Sequence, residues 1–332
     1  MEINLDKFEI ISKTFKREPT KRVPFALWKH FPEYDKTPNG LFKAQMEFQK
    51  KYDSDIMKIA IHGRTFVVDF GAELGGYHPD SGSRICTRQP IQEINDWETI
   101  EAVDPNSGEI GKQIKAMELI GGETEGKIPT MMTVFSPFMI ASQMDSDIIE
   151  HHNQNPNLIK GQIKMLTSLL IEFIKGAIDA GANGIFLATQ HFNNRLEMQT
   201  RRELEFNPME SLIKDGLKED NFCVIHLHGD NPDFELATKL PHVTAINWHD
   251  QQTSPNLFEA SKIFSGALLG GLNTEVWPQI SKISEIGEKI KFVYNNFNEK
   301  GLILSPGCVI PQQAGEEQLS LAVKTIKNLK PN

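Results

Sequence analysis

The segment Val224–Asp230 reads VIHLHGD and holds the most suggestive pair of side chains in the sequence. His226 and His228 stand two apart in an apolar run. On a β-strand that spacing sends both imidazoles to one face. Gly229 ends the run, so the pair sits at the strand's C-terminal end. Two imidazoles facing a buried space must find partners. Hydrogen bonding would supply them in one reading. In the other, neutral imidazole is a common zinc ligand, and a catalytic zinc takes three protein ligands while keeping one position open. Cys308, in the SPGCVIP turn, is a third donor if that turn leans inward over the same face. Taken alone, a cysteine in such a turn reads as a small buried hydrophobe. Cys223 and Cys86 are read as structural in that way.

These side chains need a frame. Eight short apolar runs recur along the chain: Val23–Trp28, Asp55–Ala60, Thr130–Phe135, Gly184–Thr189, Phe222–Leu227, Val243–Trp248, Ala267–Gly271 and Leu302–Ser305. Runs that are apolar throughout, without alternation, are what parallel strands covered on both faces look like. The segments between them carry helical periodicity. Leu158–Ala180 presents a broad apolar face, with Gly181 placed to end the helix. Ile280–Phe297 and Glu316–Leu329 read the same way, the latter opening on two acids that suit a helix N-terminus. Strand and helix alternating eight times predict an α/β fold, a distorted (β/α)₈ TIM barrel spanning residues 1–332 as one domain. A doubly wound open sheet is the rival that periodicity leaves open. A barrel needs about 250 residues. The surplus falls mostly in a long insertion between the second and third strands, residues 71–128. It is Gly-rich and polar, with a helix near Ile110–Leu119, and is either an elaborated loop or a lid over the site.

Composition narrows the function classes. The 332 residues carry 35 Lys and Arg against 44 Asp and Glu, a net charge of −9, which leaves no basic footprint for nucleic acid. No apolar stretch approaches a membrane span, and the N-terminus lacks an export signal. Three cysteines argue against a disulfide framework and for a reducing, cytoplasmic setting. Dinucleotide, P-loop, HExxH and GxSxG motifs are absent. The doublet His151-His152, in EHHNQN, reads as a solvated face.

The order of blocks RVPFALW, YDSDIMKI, SPF, GANGIFLAT, HLHGD, INWHD, GGLN and LILSPGCVIP resembles the uroporphyrinogen decarboxylase superfamily. That superfamily includes zinc- and corrinoid-dependent methyltransferases. The resemblance runs over nearly the whole length and implies the barrel already inferred. Its decarboxylase branch expects an arginine-bearing loop after the first strand to bind tetrapyrrole carboxylates. Here LWKHFPEYD offers Lys29 and His30 but no arginine, whose bidentate fork lysine does not reproduce. Gln143 stands where that branch has tyrosine, while Asp55 matches its aspartate. The methyltransferase branch places zinc ligands in an HxC segment and a PGC turn. His226 and Cys308 match these, with His228 in place of the cysteine.

The resemblance therefore implies zinc held by His226, His228 and Cys308, with Glu275 as a fourth ligand or an outer carboxylate. A zinc-activated thiol would take a methyl group from a corrinoid, carried by a partner protein or free. Asp55 and His249 are the catalytic candidates, although His249 also reads as an ordinary loop histidine. Gln143, Gln190, His191, Asn193, Asn194 and Asp250 are candidate substrate contacts. The alternatives are a decarboxylase of a tetrapyrrole or smaller carboxylate, and a non-catalytic corrinoid- or porphyrin-binding barrel. The resemblance also makes a homodimer plausible.

Overall fold

The computed structural model describes residues 5–193, 195–297 and 300–330. Seven parallel strands form one curled sheet in the order β1 (Met57–Ile59), β4 (Thr130–Phe135), β5 (Gly184–Thr189), β6 (Phe222–Leu227), β7 (Ala245–Trp248), β8 (Ala267–Leu272) and β9 (Leu302–Pro306). Between β1 and β4, two further strands, β2 (Glu73–Tyr77) and β3 (Arg84–Arg88), pair as an antiparallel hairpin. Among the described residues, no helix is long and apolar enough to cross a membrane.

The first expected strand is the stave that closes the barrel, yet only Phe25 makes a ladder bridge, to Leu304 on β9. On that side Ala26 N donates to Leu304 O and Leu304 N donates to Pro24 O, both at 3.0 Å. Toward β1 one backbone bond remains, Asp55 N donating to Phe25 O at 2.9 Å, and side chains supply the rest. Phe25 N donates to Asp55 Oδ2 at 2.9 Å, and Leu27 N donates to Ser54 Oγ at 3.1 Å. Pro24 has no N–H to offer a ladder. Thus a (β/α)₈ barrel holds, with seven strands and one bridged segment as its staves.

Period-two alternation divides the core in two. Side chains pointing into the barrel, among them Ile56, Met131, Phe186, Val224, Leu269 and Ile303, form an inner cluster. Those pointing outward join the helices in a larger one. Lys58, His226 and Asn247 alternate with outward residues of their strands and so belong to the inner set. The longest helix, Pro156–Asp179, runs as its apolar face predicts. It is capped by Asn155, whose side chain accepts from Leu158 N, and Gly181 follows at φ 108°.

The insertion is more ordered than its composition suggests. It contains the hairpin β2–β3, a 3₁₀ turn Ile94–Thr99 and a helix Gly108–Thr124. Both hairpin strands are largely exposed and so lack the apolar run that would announce them. The hairpin tip folds over the barrel mouth. Ser83 Oγ accepts from Gly63 N at 2.9 Å, and Gln312 N donates to Asp80 O at 2.7 Å. The doublet His151-His152 corrects its expected exposure: both are buried at 8%. His151 Nδ1 meets Asp145 Oδ2 at 2.7 Å, and Trp97 Nε1 donates to that same oxygen at 2.7 Å.

Candidate metal centre

Four donors converge at the C-terminal mouth of the barrel. His226 ends β6 on its inner face, His228 follows that strand, His249 follows β7, and Cys308 lies two residues beyond β9. The donor atoms of these four residues all lie within 4.8 Å of one another. The β9 turn leans inward as the sequence required, and Gly307 allows it. A Cβ there would meet Trp248 O at 2.9 Å and His249 Cα at 3.1 Å. The turn therefore packs directly on the backbone that carries His249.

His228 Nδ1 stands 3.5 Å from His249 Nε2 and 3.6 Å from Cys308 Sγ. A tetrahedral zinc about 2.0 Å from nitrogen and 2.3 Å from sulfur separates its ligands by roughly 3.3 Å (N to N) and 3.5 Å (N to S). The donor types suit zinc, and these two separations lie close to those of tetrahedral coordination. The outer nitrogens of His226 and His249 are held as metal-ligating histidines require. His226 Nδ1 meets Asn247 Oδ1 at 2.7 Å, which leaves Nε2 to face the cluster. His249 Nδ1 meets Glu275 Oε1 at 3.1 Å and Gln252 Oε1 at 3.2 Å. Glu275 therefore stands behind His249 as an outer carboxylate.

Electrostatics agree with a cation site. Burial opposes ionisation of Cys308, but contacts with His226, His228 and His249 outweigh it and hold the thiol well below its usual range. Burial likewise opposes protonation of His249, and its contacts with Cys308 and Glu275 raise it to about 10. Without a metal, the thiolate and Glu275 favour a proton on His249, which a bound cation would displace.

Beside the cluster lies a cavity of about 320 Å³, onto which His226, His228 and Cys308 open. This is the size of a small-molecule site. Trp28, Phe135, Met139 and Phe186 give it an apolar wall. Ser81 and Ser83 of the hairpin tip also line it, so the insertion supplies part of its rim. Its polar groups include Lys58 and Arg64 but no acid among the described lining residues. Lys58 is buried at 4%, and its ammonium lies 4.7 Å from the centre of the Phe186 ring. Burial lowers it to about 8. His30 Nδ1 and Gln143 Oε1 are buried with no hydrogen-bond partner among the described residues. A larger groove, about 930 Å³, opens at the opposite end of the barrel beside Asn183, Asn221 and His242. Among the described residues no donor cluster gathers there.

The structure sorts the candidates. His226, His228, His249 and Cys308 come together, and Gln143 and Gln190 line the adjacent cavity. His191 packs at a tilt against Phe138 and meets Ser142 Oγ at 2.9 Å, outside the cavity lining. Asn193 ties its own loop, donating to Gln190 O and accepting from Arg195 N, both at 3.0 Å. Asn194 lies outside the described residues. Asp250 accepts from Gly271 N at 3.1 Å and braces β7 against β8; burial pushes it up to about 6. Asp55 sits at the other end of the barrel, before β1, where Arg22 grips its carboxylate with two nitrogens. That placement gives it a structural partner and keeps it from the cluster. Lys58 and Asn247 went unnoticed in the sequence. Each is a polar residue at an inward position of an apolar strand, which is the signal that could have found them.

At the level of fold, the chain is similar to a methyltransferase from Methanosarcina mazei, with a TM-score of 0.80 and 15% identity over 97% of this chain and 98% of that one. It is also similar to a B12-independent methionine synthase from a Shewanella species in complex with selenomethionine, with a TM-score of 0.57 and 12% identity over 92% and 95%. No curated protein matches the sequence. The family model described as uroporphyrinogen decarboxylase (URO-D) matches residues 7–329, and the chain belongs to that family.

Proposed function

We propose that this protein is a zinc-dependent methyltransferase that moves a methyl group from a corrinoid to a small thiol. The observation that carries the reading is the cluster of His226, His228, His249 and Cys308, whose donor atoms lie within 4.8 Å of one another at the mouth of a barrel. When bound, zinc would supply the positive charge that keeps a thiol ionised at neutral pH. A shell closed by four protein ligands is otherwise the mark of a structural zinc. Catalytic use requires one donor to yield its place or the ion to expand to five. The cavity opening onto three of the four donors favours the catalytic role.

The chain's own residues suit the rest of the reaction. Lys58 and Arg64 give the cavity positive charge with no Asp or Glu among its described lining residues, which suits an acceptor bearing an acidic group. Gln143 and Gln190 would orient that acceptor through hydrogen bonds. Trp28, Phe135 and Phe186 would exclude water from the reacting sulfur. The thiolate sulfur forms the new bond to the methyl carbon as the cobalt–carbon bond breaks, and that bond's electron pair stays with cobalt. The corrinoid has to reach the sulfur from the open mouth, whether free or on a partner protein. A tetrapyrrole decarboxylase is the weaker reading. The cavity is scaled for a smaller molecule, and Asp55 is committed to Arg22 at the opposite end.

Metal analysis combined with a methyl-transfer assay tests this. About one zinc per chain is expected, lost in His226→Ala, because the site's ligands act together. Methylcobalamin should be consumed only when thiol and zinc are both present. A protein that takes up no zinc even after incubation with the ion would overturn the reading.

A further inference from the structure

Asn247 touches no part of the substrate cavity, yet it links more of the site than any ligand does. It is fully buried on β7, at 0% exposure. Its Oδ1 accepts from His226 Nδ1 at 2.7 Å. Its Nδ2 donates to Leu269 O on β8 and to Pro306 O on β9, both at 3.0 Å. Register explains the reach: Asn247 pairs with His226 across β6 and β7, and with Leu269 across β7 and β8. Pro306 stands two residues before Cys308. One side chain thus spans four adjacent strands, from the histidine ligand to the base of the cysteine turn.

The amide can sit only one way round. Reversed, its NH₂ would face the ring nitrogen while its oxygen opposed two carbonyls. That orientation dictates the His226 tautomer, because an amide oxygen only accepts, so Nδ1 must carry the proton. Nε2 then keeps its lone pair for the cluster. The neighbouring Phe186 ring, stacked on His226 at 5.2 Å, restrains rotation but is indifferent to which nitrogen is protonated. Only the hydrogen bond selects.

We propose that Asn247 is a positioning residue that locks His226 in its metal-ready tautomer and braces the Cys308 turn against it, so that the site is formed before the ion arrives. The proposal rests on the zinc reading of the cluster. Outer hydrogen bonds of this kind are worth roughly 10–100-fold in metal affinity.

The test compares the parent with Asn247→Leu, close in shape but unable to hydrogen bond, and Asn247→Asp, which keeps an acceptor for His226. Three readouts are needed: zinc affinity by chelator competition, the visible spectrum of the cobalt(II)-loaded protein, and ¹⁵N NMR of the histidine rings in the metal-free protein. Asn247→Leu should lose about 10–100-fold in zinc affinity. Its cobalt spectrum should change, and His226 should populate both tautomers. Asn247→Asp should keep the parent's tautomer and most of its affinity, even if the lost carbonyl contacts lower its melting temperature. That variant carries the test if Asn247→Leu does not fold, and a mixed tautomer in it would count against the proposal. Asn247→Leu binding zinc with the parent's affinity and spectrum overturns the positioning role while leaving the zinc reading intact. A parent that binds no zinc overturns both.

Discussion

The cavity at the barrel mouth has two walls built on different principles. The wall at the ends of β6, β7 and β9 is a closed set of mutual partners. Its donors lie within 4.8 Å of one another, and the far nitrogens of His226 and His249 are held by Asn247 and Glu275. The facing wall, from the segment after the first stave, β1 and the loop after it, the hairpin tip and the helix after β4, leaves polar groups unanswered. Lys58 has the Phe186 ring and the charge of Cys308 as neighbours but no hydrogen bond among the described residues, and His30 Nδ1 and Gln143 Oε1 have no hydrogen-bond partner there either. Buried polar groups are normally satisfied, and each exception asks for an explanation. On the proposed reading, the first wall would hold an ion and the second would be completed by a substrate.

The sharpest way to break that contrast is Cys308→Ser. A hydroxyl stays neutral where the thiol ionises, so the variant should lose roughly a hundredfold or more in zinc affinity. Methyl transfer should fall below detection, with the metal-free protein melting within a few degrees of the parent. Chelator competition and the methylcobalamin assay read the two effects. Undiminished zinc binding would remove Cys308 from the centre and reduce the first wall to a structural histidine cluster.

The two walls also differ in how legible they were. His226 and His228 announce themselves because two ligands two residues apart must share a strand face, and Cys308 because its turn follows the last apolar run. His249 was named from the INWHD block with a different role, since nothing local to β7 says that its loop converges on Cys308. That convergence depends on the curl of four strands and on Gly307, which are properties of the assembled barrel. The second wall was almost silent. Lys58 is one charged letter in DIMKIA, a run read only for its hydrophobicity, and the hairpin tip belongs to two exposed strands with no apolar pattern. Asp55 shows the opposite error. Its type and block suggested chemistry, whereas its position before β1 sets it at the barrel's other end beside Arg22. The strands were legible because their burial on both faces writes itself into composition. The first stave was legible as an apolar run, but not the part that the Ser54 and Asp55 side chains take in its pairing toward β1.

Lys58→Met sharpens the comparison from the other side. Methionine keeps the length and apolar character of the stem and removes the charge. The KM for an acceptor thiol with a carboxylate or sulfonate should rise about 10–100-fold, the cost of one lost charge-assisted contact. A neutral thiol of similar size should be little affected, and zinc content should match the parent. The same substitution should raise the melting temperature, because burial costs the ammonium more than the nearby charge of Cys308 returns. Equal losses with charged and neutral thiols would show that Lys58 does not recognise the substrate's charge. A lowered melting temperature would show that its ammonium is already satisfied in the fold.

A smaller effect concerns the support behind the second wall. Glu205, on the π-helical turn Arg202–Phe206, is fully buried. Its Oε1 accepts from Ser136 Oγ at 2.7 Å and from Thr189 Oγ1, while Oε2 has no partner among the described residues. Ser136 caps the helix that carries Gln143, and Thr189 immediately precedes Gln190, so this carboxyl braces both glutamines from behind. Burial raises it from 4.5 to about 7, against the pull of the two hydroxyls. The native state therefore binds more protons than the unfolded chain between those values, and stability must fall as pH rises through the window. Glu205→Gln keeps an acceptor for both hydroxyls and does not ionise. Urea unfolding from pH 5 to pH 8 should show the two proteins close at the acid end, with the variant ahead by about 1–3 kcal/mol at pH 8. Zinc content and methyl transfer should be those of the parent. A gap that stays constant with pH would mean that Glu205 titrates as it does in the unfolded chain. A change in zinc content would mean that the two walls are mechanically joined through β5, and that the separation between them is not a division of labour.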